Sequence, residues 1–316
     1  MPSSTGIRLS PSAEARDSES PTTVPSLGVR NEGGRPLLHL GLFLLTVVTT
    51  LIAGSLFHSE SQQHAWREVL GHPALWLAGA PYSLSVMAIL LAHELGHYLA
   101  CRHYKVRASL PYFLPGIPIL GTFGAFIRIR DRIPHRKALF DIGVAGPLAG
   151  FVVALPVFLY GMSRSRVLPL DTIGDPDFFL GFPLLFSLAT PLFLGHIPDG
   201  SVLSLSPYLS AAWVGMLATS LNLLPAGQLD GGHICYAVSR RFHAAMSRTT
   251  LVGVILLGGL HRAWLVWAVI LLFLGDRHPP LLDEGEPLSP LRRSIALLAL
   301  IIFLLSFMAV PIQIPP

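Results

Sequence analysis

The chain has 316 residues, of which 52% are hydrophobic and 13% charged, with a net charge of +4 at pH 7. Soluble domains carry about 25% charged residues, so this deficit, with apolar runs of about twenty residues, excludes an ordinary soluble protein and points to an integral membrane protein. The positive balance reads as basic cytoplasmic loops, not as nucleic-acid binding, because no Arg/Lys patch with interleaved aromatics occurs.

Met1 to Pro36, rich in Ser, Pro, Thr and Glu, reads as a disordered tail. It lacks the basic-then-apolar pattern of a secretory signal, and none is expected. Leu37 to Phe57 is the first predicted span, followed by a polar loop from His58 to Gly71. His72 to Ala100 is a second long apolar segment, and its C-terminal third reads LAHELGHYLA. On a helix, His93 and His97 lie four residues apart and share a face, where two imidazoles can hold one Zn²⁺. Glu94 is turned about 100° from that pair, which suits a general base and not a third ligand. A carboxylate at the end of such a segment is expensive without a role or a partner.

The basic stretches Cys101 to Arg107, Arg128 to Lys137 and Cys235 to Thr249 are all assigned to the inner face. Between the first two, Ala108 to Ile129 carries three prolines and three glycines among β-branched and aromatic residues. This predicts either short strands and a turn or a re-entrant loop. Within it, Thr122, Phe123, Gly124 and Ala125 begin a strand that could offer its edge to an extended peptide; the alternative is a surface hairpin that covers the core. Asp141 to Tyr160 is the third predicted span, with Asp141 as an interfacial or capping residue and Gly143, Ala145, Gly146 and Gly150 permitting close helix packing. Gly161 to Gly200, broken by Pro183 and Pro191, reads as a lipid-facing or re-entrant loop on the outer side.

Val202 to Leu224 is the fourth predicted span, ending in NLLPAGQLDGGH from Asn222 to His233. Leu251 to Leu274 is long enough for one span, although Gly258, Gly259 and Arg262 could make it a tight helical pair. One span there leaves Arg292 and Arg293 outside, against the positive-inside tendency, before the last apolar segment, Ile295 to Val310. Cys101 and Cys235, the only cysteines, form neither a close-spaced ligand pair nor a disulfide framework.

Two histidines leave a zinc site unfinished, since catalytic zinc takes three protein ligands. Asp230 is the best third ligand, because it sits at the same predicted membrane depth as His93, and Gly227, Gly231 and Gly232 let the backbone approach closely. Pro225 ends the helix before it. A helix-capping role for Asp230 and ligation by His233 are the alternatives; His103, His135 and His196 read as loop histidines.

With these residues in view, the chain resembles the site-2 protease family of intramembrane zinc metalloproteases (peptidase family M50). H-E-L-G-H at His93 to His97 matches the family's first motif. N-x-x-P-x-x-x-L-D-G at Asn222 to Gly231 matches the second, and Gly146-Pro147 falls in a glycine-rich core feature. The resemblance covers about Leu84 to His233. It implies an all-α polytopic membrane protein of about six transmembrane helices, with a three-helix catalytic core and a β-like substrate-clamping segment. It also implies one zinc per chain on His93, His97 and Asp230, with Glu94 as catalytic base. Asn222 would contact substrate, and Gly146, Pro147, Pro225 and Gly231 would be structural in the core. The expected activity is endopeptidase cleavage within or near transmembrane segments of membrane proteins. A metal-ion transporter and an inactive scaffold are the rival classes. The expected setting is a prokaryotic plasma membrane, among lipids, with the site toward the cytoplasm. The expected domains are a tail to residue 36, a protease domain over 37–310 with its core at about 72–233, and a second tail over 311–316. No PDZ or CBS domain is expected within it.

Overall fold

The computed structural model describes residues 36–56, 62–117, 120–172, 179–275, 278–285 and 287–313. The tail expected over 1–36 lies outside these apart from Pro36, as do the last three residues of the tail expected over 311–316. The described residues make a multi-pass α-helical membrane protein. Three helical segments, Pro36–Leu56, Pro73–His103 and Arg136–Arg164, are long and apolar enough to cross a membrane, and Leu184–Leu194 and Ala263–Leu274 are shorter apolar helices.

Helix α1 (Pro36–Leu56) and the short α2 (Gln62–Gly71) lead through a 3₁₀ turn at Pro73–Gly79 into α3 (Ala80–His103). Thr50 and Ser83 bridge α1 to α3 with a hydroxyl pair at 2.7 Å, the kind of small polar contact that joins helices in lipid. After α3, the Pro- and Gly-broken segment forms an antiparallel hairpin, β1 (Tyr112–Pro115) and β2 (Thr122–Phe126), with Tyr112 opposite Phe126. Phe43 of α1 packs edge-on against Phe113 at 5.1 Å. The sheet has two strands, so among the described residues one edge of β2 stays unpaired.

Helix α4 (Arg136–Arg164) starts five residues before the predicted Asp141, because His135 caps it: Nδ1 accepts the Ala138 N–H at 3.1 Å. Beyond α4 lie β3 (Arg166–Pro169), β4 (Phe179–Leu180), α5 (Leu184–Leu194) and β5 (Ser201–Ser204). β3 pairs with β5, and β4 pairs with β6 (Ile312–Gln313), which ties the chain's far end down. The predicted fourth span is shortened: Val202 to Ser204 belong to β5, and α6 (Pro207–Asn222) begins where Ser206 caps and Pro207 takes the first turn.

Helices α7 (Asp230–Val238), α8 (Arg240–Leu257), α9 (Ala263–Leu274) and α10 (Pro290–Ser306) complete the chain. The segment read as one span at 251–274 is the helical pair α8 and α9, turned at Gly258 and Gly259. A Cβ at Gly258 would collide with the Leu265 side chain of α9. The chain therefore doubles back before α10, and Arg292 meets Asp141 at 2.6 and 2.9 Å. Asp141 caps nothing; it anchors α10 to α4. Three buried clusters are found among the described residues: one around Tyr82, Phe158, Phe186 and Trp213, one around Phe140, Ile142, Leu223 and Ile234, and a smaller one around Val254, Trp264 and Leu271. Along α3, the HELGH stretch falls between the first two.

Candidate metal centre

The last turns of α3 bring His93 and His97 together, with their Nε2 atoms 3.1 Å apart. Asp230, the first residue of α7, places Oδ2 3.2 Å from each. His93 and His97 are 4% and 7% exposed. The Nδ1–H of His97 donates to the Ile142 carbonyl at 2.7 Å, which leaves a lone pair on Nε2. Lone-pair atoms this close repel one another unless a cation lies among them. Tetrahedral zinc with bonds near 2.0–2.1 Å separates its ligand atoms by about 3.3 Å, close to the spacing seen here. His93, His97 and Asp230 are the one group of three or more His, Cys, Asp or Glu, among the described residues, that could hold a metal. The donor set is of the kind that catalytic zinc uses, and it can hold a single zinc ion.

Close packing of α4 and α7 builds this cluster. A Cβ at Gly146 would collide with the His97 ring, and one at Gly150 would lie 3.1 Å from the His93 Cβ. Pro147, beside Gly146, is buried inside α4. Below Asp230, a Cβ at Gly231 would collide with the Leu223 carbonyl, so α7 sits directly on the end of α6. Gly227 takes φ +54° in the turn between them, a conformation that favours glycine. Pro225 begins that turn, and its carbonyl accepts from Thr250 Oγ1 at 3.4 Å.

Glu94 is 4% exposed and stays out of the donor cluster. It faces two cavities, of about 90 and 200 Å³. Both are lined by His93, Glu94, Ala125 and Asn222. Asn222 Nδ2 lies 3.4 Å from His93 Nε2. Of the four strand residues singled out in the sequence, Phe123, Gly124 and Ala125 line the smaller cavity. Thr122 lines neither cavity and is turned into the hairpin, where its hydroxyl donates to the Leu114 carbonyl at 2.9 Å.

His233 is not in the donor cluster; it lines the larger cavity and bonds His278. Ile142, Gln228, Trp267 and His278 border the site without having been singled out. Ile142 acts through its backbone carbonyl, which a side-chain pattern cannot reveal, and His278 and Trp267 come from elements far along the chain.

Comparison with known proteins agrees with this geometry. The model of peptidase family M50 matches residues 81–260. The chain is 31% identical over 240 residues to "Probable zinc metalloprotease EGY1, chloroplastic" of Arabidopsis thaliana, covering 74% of this chain and 43% of that protein. It is 33% identical over 238 residues to "Probable zinc metalloprotease EGY2, chloroplastic" of the same plant, covering 74% and 42%. Against "Probable zinc metalloprotease EGY3, chloroplastic" of Oryza sativa subsp. indica the identity is 30% over 244 residues, covering 72% and 41%. The chain thus spans about two fifths of the length of these relatives.

Proposed function

The chain belongs to peptidase family M50, and from that premise we propose that it is a zinc-dependent intramembrane endopeptidase, cutting peptide bonds within or near transmembrane segments of membrane proteins. The observation that carries the reading is the convergence of buried His93 and His97 with Asp230 beside a buried Glu94 that stays out of the cluster, at the end of an apolar spanning helix. A zinc ion held there would supply Lewis acidity toward a peptide carbonyl and lower the pKa of water. Glu94 takes the proton from the attacking water and returns it to the leaving nitrogen.

A transmembrane helix keeps its carbonyls hydrogen-bonded, so the peptide has to be unwound before attack. The unpaired edge of β2 supplies backbone partners for the extended form, with Phe123, Gly124 and Ala125 along it and Asn222 opposite. Gly146, Pro147, Pro225 and Gly231 keep α4, α6 and α7 close enough for the donors to converge. The three long helices, the shorter α6 and α10, and the folded-back pair of α8 and α9 make up the about six membrane elements we assign, with α3, α4 and α6 as the catalytic core of a protease domain over 37–310.

The basic residues after α3, before α4 and along the first turns of α8 support an orientation with the site toward the cytoplasmic side. A prokaryotic plasma membrane is the setting we propose; the relatives named above are chloroplastic by name. Purified chain in liposomes with single-span proteins tests the activity. Cleavage is expected to need zinc, to stop with a chelator and to resume when zinc is restored. Zinc crossing the bilayer without cleavage would instead identify a transporter.

A further inference from the structure

The two cavities that meet at Glu94 differ in chemistry. Strand β2 runs from one to the other: Phe123 and Gly124 border the smaller cavity, Phe126 and Ile127 the larger, and Ala125 borders both. A peptide paired along this edge therefore enters one cavity on one side of the metal site and the other on the opposite side.

The smaller cavity is walled by Ile89, Leu90, Gly215, Ala218, Leu221 and Trp267. Its one hydroxyl, on Thr219, is turned back to the Gly215 carbonyl at 2.8 Å. At about 90 Å³ it is smaller than the roughly 150 Å³ apolar cavity that admits benzene. It therefore suits an aliphatic side chain better than an aromatic one.

The larger cavity carries Gln228 and His233. The hydrogen bonds behind His233 fix which of its nitrogens bears a proton. His278 Nδ1 lies 2.8 Å from the Pro279 carbonyl, which can only accept, so His278 carries its proton there. In the neutral ring Nε2 is then bare. That bare nitrogen lies 2.7 Å from His233 Nδ1, so His233 donates from Nδ1 and its own Nε2 is left with a lone pair. His278 is kept neutral where it stands. Its ring stacks on Tyr236 at 4.2 Å, and burial pushes its pKa down to about 4. Among the described residues, nothing in the chain donates to His233 Nε2.

We infer that this cleft selects a junction: an aliphatic side chain in the Gly215 cavity on one side of the scissile bond, and a side chain with a hydrogen-bond donor against His233 Nε2 on the other. The inference rests on the endopeptidase reading and adds a substrate class to it, namely segments in which an apolar run gives way to Ser, Thr, Asn, Gln or Lys. His233 is the specificity residue, and His278 is a positioning residue that sets its tautomer.

The test uses full-length Glu94→Gln protein in nanodiscs and fluorescent single-span peptides. These differ only by Ala, Ser, Lys or Asp at each of three positions on either side of the central bond. At a position on one side only, Ser and Lys are expected to bind about 5- to 10-fold more tightly than Ala, the worth of one net hydrogen bond, and Asp more weakly than Ala. The same order is expected in kcat/KM of the wild type. His233→Phe brings the Ser/Ala ratio to about 1. His278→Phe shrinks the Ser/Asp difference, because the His233 proton is then free to move, whereas His278→Gln, which keeps an acceptor, restores it. Equal binding of Ser and Ala peptides at every position, or a preference unchanged in both Phe variants, overturns the inference. Cleavage without such a preference leaves the endopeptidase reading standing alone, while the preference in binding with no cleavage by the wild type removes the endopeptidase and keeps the graded cleft.

Discussion

Helix α4 makes two close approaches to its neighbours, and they end in opposite chemistry. At its C-terminal end Gly161 sits against α6, where a Cβ would lie 2.5 Å from the Leu209 nitrogen. Every polar group there has a partner: the Ser165 and Ser206 hydroxyls each donate to the Gly161 carbonyl at 2.8 Å, and Ser206 N–H donates to Ser165 Oγ at 3.0 Å. Nearer its N-terminal end Gly146 and Gly150 bring α4 close to α3, but the groups that meet are His93, His97 and Asp230, with three metal-ligating atoms within 3.2 Å. Small residues license both contacts. Closeness alone therefore does not mark a site; three metal-ligating atoms converging within 3.2 Å do.

The largest effect that sharpens this contrast comes from the site itself. Glu94→Gln keeps the donor set whole, so zinc content is expected to stay near one per chain while cleavage falls by about 10²–10⁴-fold. His93→Ala, His97→Ala and Asp230→Ala each remove a donor, and zinc and cleavage should fall together. Mass spectrometry for zinc and cleavage rates on the same preparations check this. Loss of zinc in Glu94→Gln would make Glu94 a ligand, and normal zinc in Asp230→Ala would move the third ligand elsewhere, first to His233.

The paired glycines come next. Gly146→Ala pushes a methyl into the His97 ring, so zinc affinity is expected to drop about 10–100-fold, as when a supporting group around a ligand is lost. Gly161→Ala meets backbone and should cost about 1–3 kcal/mol of stability by overpacking, with zinc stoichiometry unchanged. Competition with a chromogenic chelator reads the first, denaturant unfolding the second. If Gly161→Ala loses zinc while still folded, the two ends are coupled and the contrast fails. A smaller loss is expected from Phe123→Pro or Ala125→Pro, which disturb the β2 edge: cleavage falling about tenfold with zinc retained. Normal cleavage by both would make the hairpin a structural cover.

Much of this was legible in the sequence because it rests on side-chain type at fixed spacing. His93, Glu94, His97 and Asp230 are such residues, and so is the small-residue run on α4. The Pro- and Gly-broken stretch after α3 announced irregular backbone, and the hairpin is one of the two forms it allowed. What could not be read depends on partners distant in the chain. The Ile142 carbonyl that orients His97 leaves no side-chain trace. The tautomer of His233 is set by His278, a lone histidine in a charged loop. Helix lengths also failed where caps decide them: His135 lengthened α4, and Ser206 shortened α6. The count of spans after residue 250 stayed open because apolar composition cannot tell one long helix from α8 folded back on α9; only the glycine turn does. The positive-inside conflict at Arg292 left the side of α10 unsettled in the sequence; the fold-back of α9 on α8 brings that arginine to Asp141 instead.

That arginine gives the smallest expected effect and a second test of the N-terminal end of α4. Asp141 on α4 receives Arg292 Nε at 2.9 Å and Nη2 at 2.6 Å, and the Tyr104 hydroxyl of α3 at 2.5 Å. The two charged side chains are 24% and 28% exposed, between a surface pair worth up to about 1 kcal/mol and a buried one worth more. The group joins α3, α4 and α10 through donors that all find an acceptor, so by the argument from Gly161 it is structural although it is charged. Asp141→Asn and Arg292→Met should each destabilise by about 1 kcal/mol. The double variant should lose less than their sum, with a coupling of about 1 kcal/mol that shrinks as salt screens the exposed part. Zinc content should not move in any of the three. Additivity within about 0.3 kcal/mol would mean that α10 is held by apolar packing alone. Loss of zinc in Arg292→Met would tie α10 to the metal centre, and satisfied hydrogen bonding would then no longer separate structure from site at this end.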